Sequence, residues 1–409
     1  MKYKTVMLLF ALALAAQAEE RAFKRIQITD KFWSEGANFG DFNRDGKMDV
    51  ASGPFWYAGP DFKQRHEYRP ATATFTNEAG QVIEGFQGAL GRKNAYSDNF
   101  FTFVYDFNAD QWPDILIIGL PNKPATLYLN PKGKSGHWPA HQVFDAVDNE
   151  SPGFTCIDGC GKPELICHKD GYLGFAKADW SDPTKPWTFH RISPKGKWHK
   201  YSHGLGVGDV NGDGRMDMLV SEGWWEQPAS LAGDPQWKCH PFTFAEAGAQ
   251  MYAYDVNGDG LNDIITALHC HKHGLVWWEQ VRKDGEISFV QHTIMGNKPE
   301  DSKHGLCFTQ PHAIALFDMN ADGLQDIIVG KRFWAHGPTG DIDPNAPAVL
   351  YWLELVRGPN KTADFVPHLV DDNSGVGTQV VAGHISGKGK LGDIVVGNKK
   401  GTFVFLQDK

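Results

Sequence analysis

One nine-residue pattern, Asp-x-Asn-x-Asp-x-x-x-Asp, constrains this chain more than any other feature, because it recurs. "DFNRDGKMD" spans 41–49, "DFNADQWPD" 106–114, "DVNGDGRMD" 209–217, "DVNGDGLND" 255–263 and "DMNADGLQD" 318–326. Two weaker echoes, "DGCGKPE" from Asp158 and "HISGKGKLGD" from His384, fill the gaps. The starts lie roughly 45–65 residues apart, a period that signals a propeller or another repeat architecture.

Each full copy offers side-chain oxygens at positions one, three, five and nine, with a backbone carbonyl expected at seven. Hard cations such as Ca²⁺ take that kind of shell. The candidate ligands are Asp41, Asn43, Asp45 and Asp49; Asp106, Asn108, Asp110 and Asp114; Asp209, Asn211, Asp213 and Asp217; Asp255, Asn257, Asp259 and Asp263; and Asp318, Asn320, Asp322 and Asp326. Position six is glycine except in the second copy, where Gln111 stands. A turn that needs no ion is the plainer alternative, but uncompensated acids would repel one another. The echo at His384 carries Lys388 in place of an acid and is expected to bind nothing. An EF-hand would need a glutamate at position twelve and flanking helices. The loops run instead into "DVASG", "DILIIG", "DMLVS", "DIITA", "DIIVG" and "DIVVG". These short β-branched runs read as buried strands.

A strand precedes each loop ("GANFGD", "FTFVYD", "GLGVGD"), and third and fourth strands come after it ("GLVWWEQ", "SFVQHTI"). The expected fold is all-β: a seven-bladed β-propeller of four-stranded antiparallel blades. "AFKRIQI" near the N-terminus is a fourth strand with no blade before it, and the chain ends on a third strand, "GTFVFLQDK". The N-terminal strand should complete the last blade and close the ring, which removes exposed sheet edges. The motif and its period resemble the FG-GAP, or VCBS-type, repeats of integrin α-chain propellers and many exported bacterial proteins. That resemblance implies the propeller fold and structural Ca²⁺ over nearly the whole mature chain. Propellers of this kind serve as adhesion modules, polysaccharide lyases and sugar dehydratases; the propeller part of aldos-2-ulose dehydratase is one functional likeness.

Residues 1–18 read as an export signal: Lys2 and Lys4, the apolar "VMLLFALALAA", then "AQA", with cleavage after Ala18. Residues 19–409 read as one domain, exported to the periplasm or outside the cell. No other apolar run is long enough for a bilayer, so membrane insertion is not expected. A net charge of −9 disfavours nucleic acid as a partner. We expect a monomer. Six cysteines are too few for a disulfide-built fold, although Cys156 and Cys167, on adjoining strands of the third blade, can pair.

Strand direction sorts the remaining polar residues. The first strand of each blade ends in the acidic loop and the second returns, so first-strand starts and second-strand ends share the opposite face. Starts supply Glu35, Asp98 or Asn99, His203, Gln250, His312 and Gln379; ends supply Trp56, Glu222, Trp224, His269, His271, Arg332, Trp334 and Lys399. His203 and His312 each lie six residues before a loop-opening aspartate, hence at one height. Propeller mouths are natural ligand sites. Each histidine alone reads better as structural or exposed, their common height makes a shared site an equal reading, and the tryptophans read as packing. "HCHKH" at 269–273 can hold a second divalent metal such as Zn²⁺, since His269 and His271 would share one side of a strand; an exposed polar loop is the alternative.

The expected function is a carbohydrate-active carbon–oxygen lyase or dehydratase. It would act by β-elimination on an oxidised sugar, uronate or polysaccharide. Such chemistry needs a base, an acid and an enolate stabiliser. His203 and His312 suit the first two roles and Arg332, or a metal, the third, with His269 and His271 beside them. Tyr96 and Tyr201 are reserve acid–base groups. Asn99, Gln250 and Gln379 suit hydroxyls, Trp224 and Trp334 suit sugar faces, and Glu222 could complete a carboxylate pair. The alternative is a non-catalytic propeller that binds a glycan or a protein, with Ca²⁺ purely structural.

Overall fold

The computed structural model describes residues 22–71, 74–76, 82–84, 96–387, 389 and 391–407. The export signal and Lys388 lie outside these residues. Among the described residues there is no α-helix, and no helix is long and apolar enough to cross a membrane.

The strands gather into antiparallel four-stranded sheets in which sequence neighbours are spatial neighbours. The first holds Ala37–Gly40, Asp49–Ser52, Phe55–Ala58 and Gln64–Glu67. The second holds Phe101–Tyr105, Asp114–Ile118, Lys123–Tyr128 and Ala140–Val147, and the third Gly153–Thr155, Glu164–Lys169, Tyr172–Lys177 and Thr188–Arg191. A later sheet holds Pro311–Phe317, Asp326–Lys331, Leu350–Arg357 and Ala363–Asp371. In the last, Val380–Gly383, Asp393–Asn398 and Gly401–Gln407 are completed by the N-terminal Phe23–Thr29, with Phe23 opposite Gln407. The strands from Leu205 to Met295 form one curled eight-stranded sheet. Its two antiparallel halves join where Leu205–Gly208 and Gln250–Tyr254 pair in parallel, Leu205 opposite Gln250. Gly206 makes this junction possible, because a Cβ there would collide with the Met251 carbonyl.

First strands of successive sheets abut around an axis, and the last, Val380–Gly383, meets the first, Ala37–Gly40. Between the second and third sheets, Phe103 meets Phe154 with ring centroids 5.4 Å apart. This is a propeller arrangement of four-stranded blades. The second strands are buried along their whole length: Asp49–Ser52, Asp217–Val220 and Asp263–Ala267 have no exposed position. Buried on both faces, they need the unbroken apolar runs seen in the sequence. Each such isoleucine or leucine contributes roughly 1.5–3 kcal/mol through burial.

The acid at loop position nine pins every blade. One of its oxygens accepts the amide seven residues earlier: Asp49 from Phe42 at 2.9 Å, Asp217 from Val210 at 2.9 Å, Asp263 from Val256 at 2.9 Å. The other accepts an amide from within the third strand or from the residue just after it: Gly59, Gln227 and Gln280 at 2.8 Å each. Glu164 and Asp393 accept from Ile157 at 2.9 Å and from Ser386 at 2.6 Å in the same register. This register corrects the third loop. It begins at Cys156 rather than Asp158 and is full length, with Cys156, Asp158 and Cys160 at positions one, three and five. Cys156 and Cys167 do not pair, and all six thiols are free. Cys167 is buried in the apolar core with Leu165 and Ala176, whereas Cys156 lies beside Asp158 and Glu164. The Lys177 ammonium sits against Asp158.

Candidate functional site: a polar mouth opposite the acidic loops

Six residues before each loop start lie Glu35, Phe100, Glu150, His203, Ala249, His312 and Gln379. Each occupies the start of a first strand or the residues just before it, so all seven reach one face of the ring. Four are ionisable, and the structure joins three of these to Arg332. Glu150 Oε2 lies 3.5 Å from His203 Nε2 and 3.5 Å from His312 Nε2. Arg332 Nη1 donates to His312 Nε2 at 2.9 Å and lies 3.4 Å from Glu150 Oε2. Its Nε donates to Glu35 Oε2 at 3.2 Å. Arg332 leaves the end of the second strand of its blade and is 2 % exposed, so its charge is matched inside the protein by Glu35 and Glu150.

His271 completes the group. Its ring centroid is 5.0 Å from that of His203, 4.9 Å from His312 and 4.5 Å from His336. His336 in turn bonds Asp341 through Nδ1 at 2.8 Å. "HCHKH" is a turn rather than a strand, and this separates its histidines. His271 turns inward, while His269 accepts the His271 amide at 3.1 Å and faces Glu246 at 3.8 Å.

The charges of the cluster are interdependent. Burial alone would raise the Glu150 carboxyl, but His203, His312 and Arg332 hold it well below the usual range. Burial lowers His203, yet Cys270 and Glu150 outweigh it and push the imidazole up to about 10. Burial, then Arg332, brings His312 down to about 3. Burial and the neighbouring His312 push His271 strongly down. The directions oppose one another: the surroundings favour the charged form of His203 and the neutral forms of His312 and His271. Lys399 at the rim is lowered to about 8 by burial.

Below the mouth, a cavity of about 300 Å³ runs along the axis, bordered by Ser151, Phe103, Tyr252, Gln250 and Gln379. A second hollow of about 210 Å³ opens beside His203, between Trp198, Tyr201 and Glu222. Glu222 is tied to Lys197 at 2.7 Å.

Other anticipated mouth residues have structural partners. The Gln250 amide accepts from Ile314 N–H at 2.9 Å and donates to the Thr378 carbonyl at 3.1 Å. The Gln379 amide accepts from Thr102 N–H at 2.9 Å and donates to its carbonyl at 3.0 Å. Both brace first strands across the axis. Asn99 is fully buried against the Thr102 hydroxyl at 3.2 Å. Trp224 is not brought to the mouth: it is 3 % exposed and stacks on His240 at 4.0 Å between strands. Trp56 stacks likewise on His66 at 4.0 Å. Trp334 donates its indole N–H to Asn345 at 2.8 Å, and Tyr96 lies under the Lys399 ammonium, 5.0 Å from its ring.

Sequence reasoning missed Glu150, Cys270, His336 and Asp341. Starting the third loop at Cys156 would have placed Glu150 on the six-residue rule. His336 and Asp341 belong to the 332–349 connection between second and third strands, which obeys no repeat and gives no signal.

On the opposite face the acidic loops share one geometry. In the first, Asp45 N–H donates to Asp41 at 3.0 Å and Asn43 at 2.9 Å, and Gly46 N–H to Asp41 at 2.9 Å. Position six is left-handed, with φ of 84° at Gly46 and 90° at Gly260; Gln111 adopts the same conformation at 71°. The glutamine therefore keeps the loop, at a steric cost of about 1–2 kcal/mol. Burial, reinforced by the other loop aspartates, raises Asp49 to about 6 and Asp114, Asp217 and Asp263 to about 7. Burial likewise raises Asp326 to about 7. Each position-nine oxygen keeps a further lone pair, so this residue can anchor the blade and still face a cation.

One family model agrees with the fold. Residues 255–329 match the model of the FG-GAP-like repeat. No curated protein matches the chain in sequence. Among solved structures, an Agrocybe aegerita lectin described as recognising non-reducing terminal N-acetylglucosamine aligns at 14 % identity and TM-score 0.47, covering 86 % of this chain and 81 % of that one. BBS1N, solved in complex with ARL6DN, aligns at 9 % identity and TM-score 0.47, covering 94 % and 96 %. The repeat match and the ring of four-stranded sheets together support a β-propeller of FG-GAP-like repeats.

Proposed function

We propose that the protein is an exported seven-bladed propeller, braced by Ca²⁺ in its full acidic loops, and that its mouth is the active site of a carbon–oxygen lyase. Each half of the eight-stranded sheet counts as one blade. The substrate class is an oxidised sugar, a uronate or a polysaccharide built from one. The observation that carries the reading is the meeting of Glu150, His203, His312 and Arg332 at one height above the axial cavity.

Elimination beside a carbonyl or carboxylate removes a carbon-bound proton, gathers negative charge on oxygen and expels a β-oxygen that must be protonated. The neutral His312 is suited to take the proton once Arg332 releases its Nε2, and the protonated His203 to supply one. Arg332, held by Glu35 and Glu150, presents its remaining nitrogen to the developing enolate. Tyr201 and Glu222 border the hollow beside His203, where a sugar ring would lie.

On a substrate that the parent protein converts, His203→Gln or His312→Gln should lower turnover by roughly 10²–10⁴-fold, with calcium content and melting temperature kept. Full activity in both variants would remove the histidines from the chemistry.

A further inference from the structure

We propose that His203, His271, His312 and Cys270 form a binding site for one borderline-soft divalent ion of the Zn²⁺ class, separate from the acidic loops. The four residues come from three blades, yet one ligand atom from each lies within 4.8 Å of all the others. A tetrahedral ion with nitrogen ligands at about 2.0 Å and sulfur at about 2.3 Å needs spacings of about 3.5 Å, so a small inward movement closes the shell. His203 Nε2 and His312 Nδ1 are buried polar atoms without a hydrogen-bond partner; His312 Nδ1 becomes a ligand when the ring proton sits on Nε2, which then faces Glu150 Oε2 at 3.5 Å instead of accepting from Arg332. Buried polar groups are seldom left so unless something else occupies them.

The surroundings are those of a metal site. His271 Nδ1 faces Asp341 Oδ1 at 3.9 Å, which leaves Nε2 to point into the cluster. Asp341 is itself held by His336. A carboxylate behind a ligating imidazole fixes its tautomer and raises its basicity. Three nitrogens and a thiolate select Zn²⁺ and its neighbours over Ca²⁺, which prefers the oxygen-lined loops. Ion binding and the acid–base roles proposed above exclude one another at His203 and His312: in the ion-bound mouth both imidazoles are ligands, and the ion itself would act as a Lewis acid toward a carbonyl or carboxylate oxygen entering the mouth. The site stands on ligand geometry and not on the choice of substrate. Cobalt binding without any elimination would overturn the proposed function alone.

The test is Co²⁺ titration of chelator-treated full-length protein in saturating Ca²⁺. The expected result is one Co²⁺ per chain, with the intense visible bands of a tetrahedral ion and a near-ultraviolet thiolate charge-transfer band. His203→Ala and His271→Ala should each weaken binding by about 100-fold or more. Cys270→Ser should abolish the charge-transfer band, and His137→Ala, on the surface, should change nothing. Retained calcium and an unchanged melting curve show that each variant is folded. Should an alanine variant not fold, the loss of the thiolate band in Cys270→Ser decides the matter. Weak binding without tetrahedral bands, or binding indifferent to the cluster substitutions, would mean adventitious surface histidines and would overturn the proposal.

Discussion

Arg332 is the residue on which the mouth turns. It is buried, it links Glu35 to Glu150, and it donates to His312. Removing one partner of a buried ion pair leaves the other charge uncompensated, which typically costs about 3–5 kcal/mol. Arg332→Met should therefore lower unfolding stability by about that amount in urea melts. Adding Glu35→Gln should recover part of the loss, because it removes one stranded carboxylate. A change below about 1 kcal/mol would show that water reaches these groups and that the network is not sealed. Arg332, His203, His271 and His312 were legible in the sequence because strand direction and loop spacing set their height. The roles expected of Gln250, Gln379 and Trp224 were not, because spacing gives a height but not a partner. The amides found backbone groups on adjacent first strands, and the tryptophan found His240.

At the scale of the element, the nine-residue loop does two separable things. Positions one, three and five gather oxygens for a cation, while position nine ties the second strand to the third. The last blade keeps only the tie. Its Asp393 accepts from Ser386 and Gln407, although position one is the buried Ile385. Asp393→Ala should cost about 2–4 kcal/mol, since two buried amides lose their acceptor, without changing calcium content. Loss of a calcium ion with little loss of stability would reverse this assignment. Calcium removal should act through the five full loops. An ion held at 100 times its Kd contributes about 2.7 kcal/mol per site, so a chelator should lower the melting temperature markedly. An unchanged melting temperature, with no calcium by elemental analysis, would show that the loops hold their shape without Ca²⁺. The third loop escaped sequence reading because cysteines replace acids at positions one and five, which leaves Asp158, at position three, as its first visible acid.

At the scale of the whole molecule, the repeat and the two terminal half-patterns were enough to anticipate antiparallel four-stranded sheets and the pairing of Phe23–Thr29 with Gly401–Gln407. The parallel junction between Leu205–Gly208 and Gln250–Tyr254 was not anticipated. It depends on close backbone approach at Gly206 rather than on any apolar period. The ring brings Glu35, Glu150, His203, His312 and Arg332 together from up to 297 residues apart in sequence. That convergence is the reason to look for chemistry at the mouth rather than at the acidic loops. The most direct measurement incubates the protein with oxidised sugars, uronates and uronate polysaccharides and tracks ultraviolet absorbance. Absorbance from a new conjugated double bond should grow with at least one substrate and be lost in His312→Gln. Bound sugar with no absorbance change across the panel would contradict lyase activity and leave a propeller that binds carbohydrate without altering it.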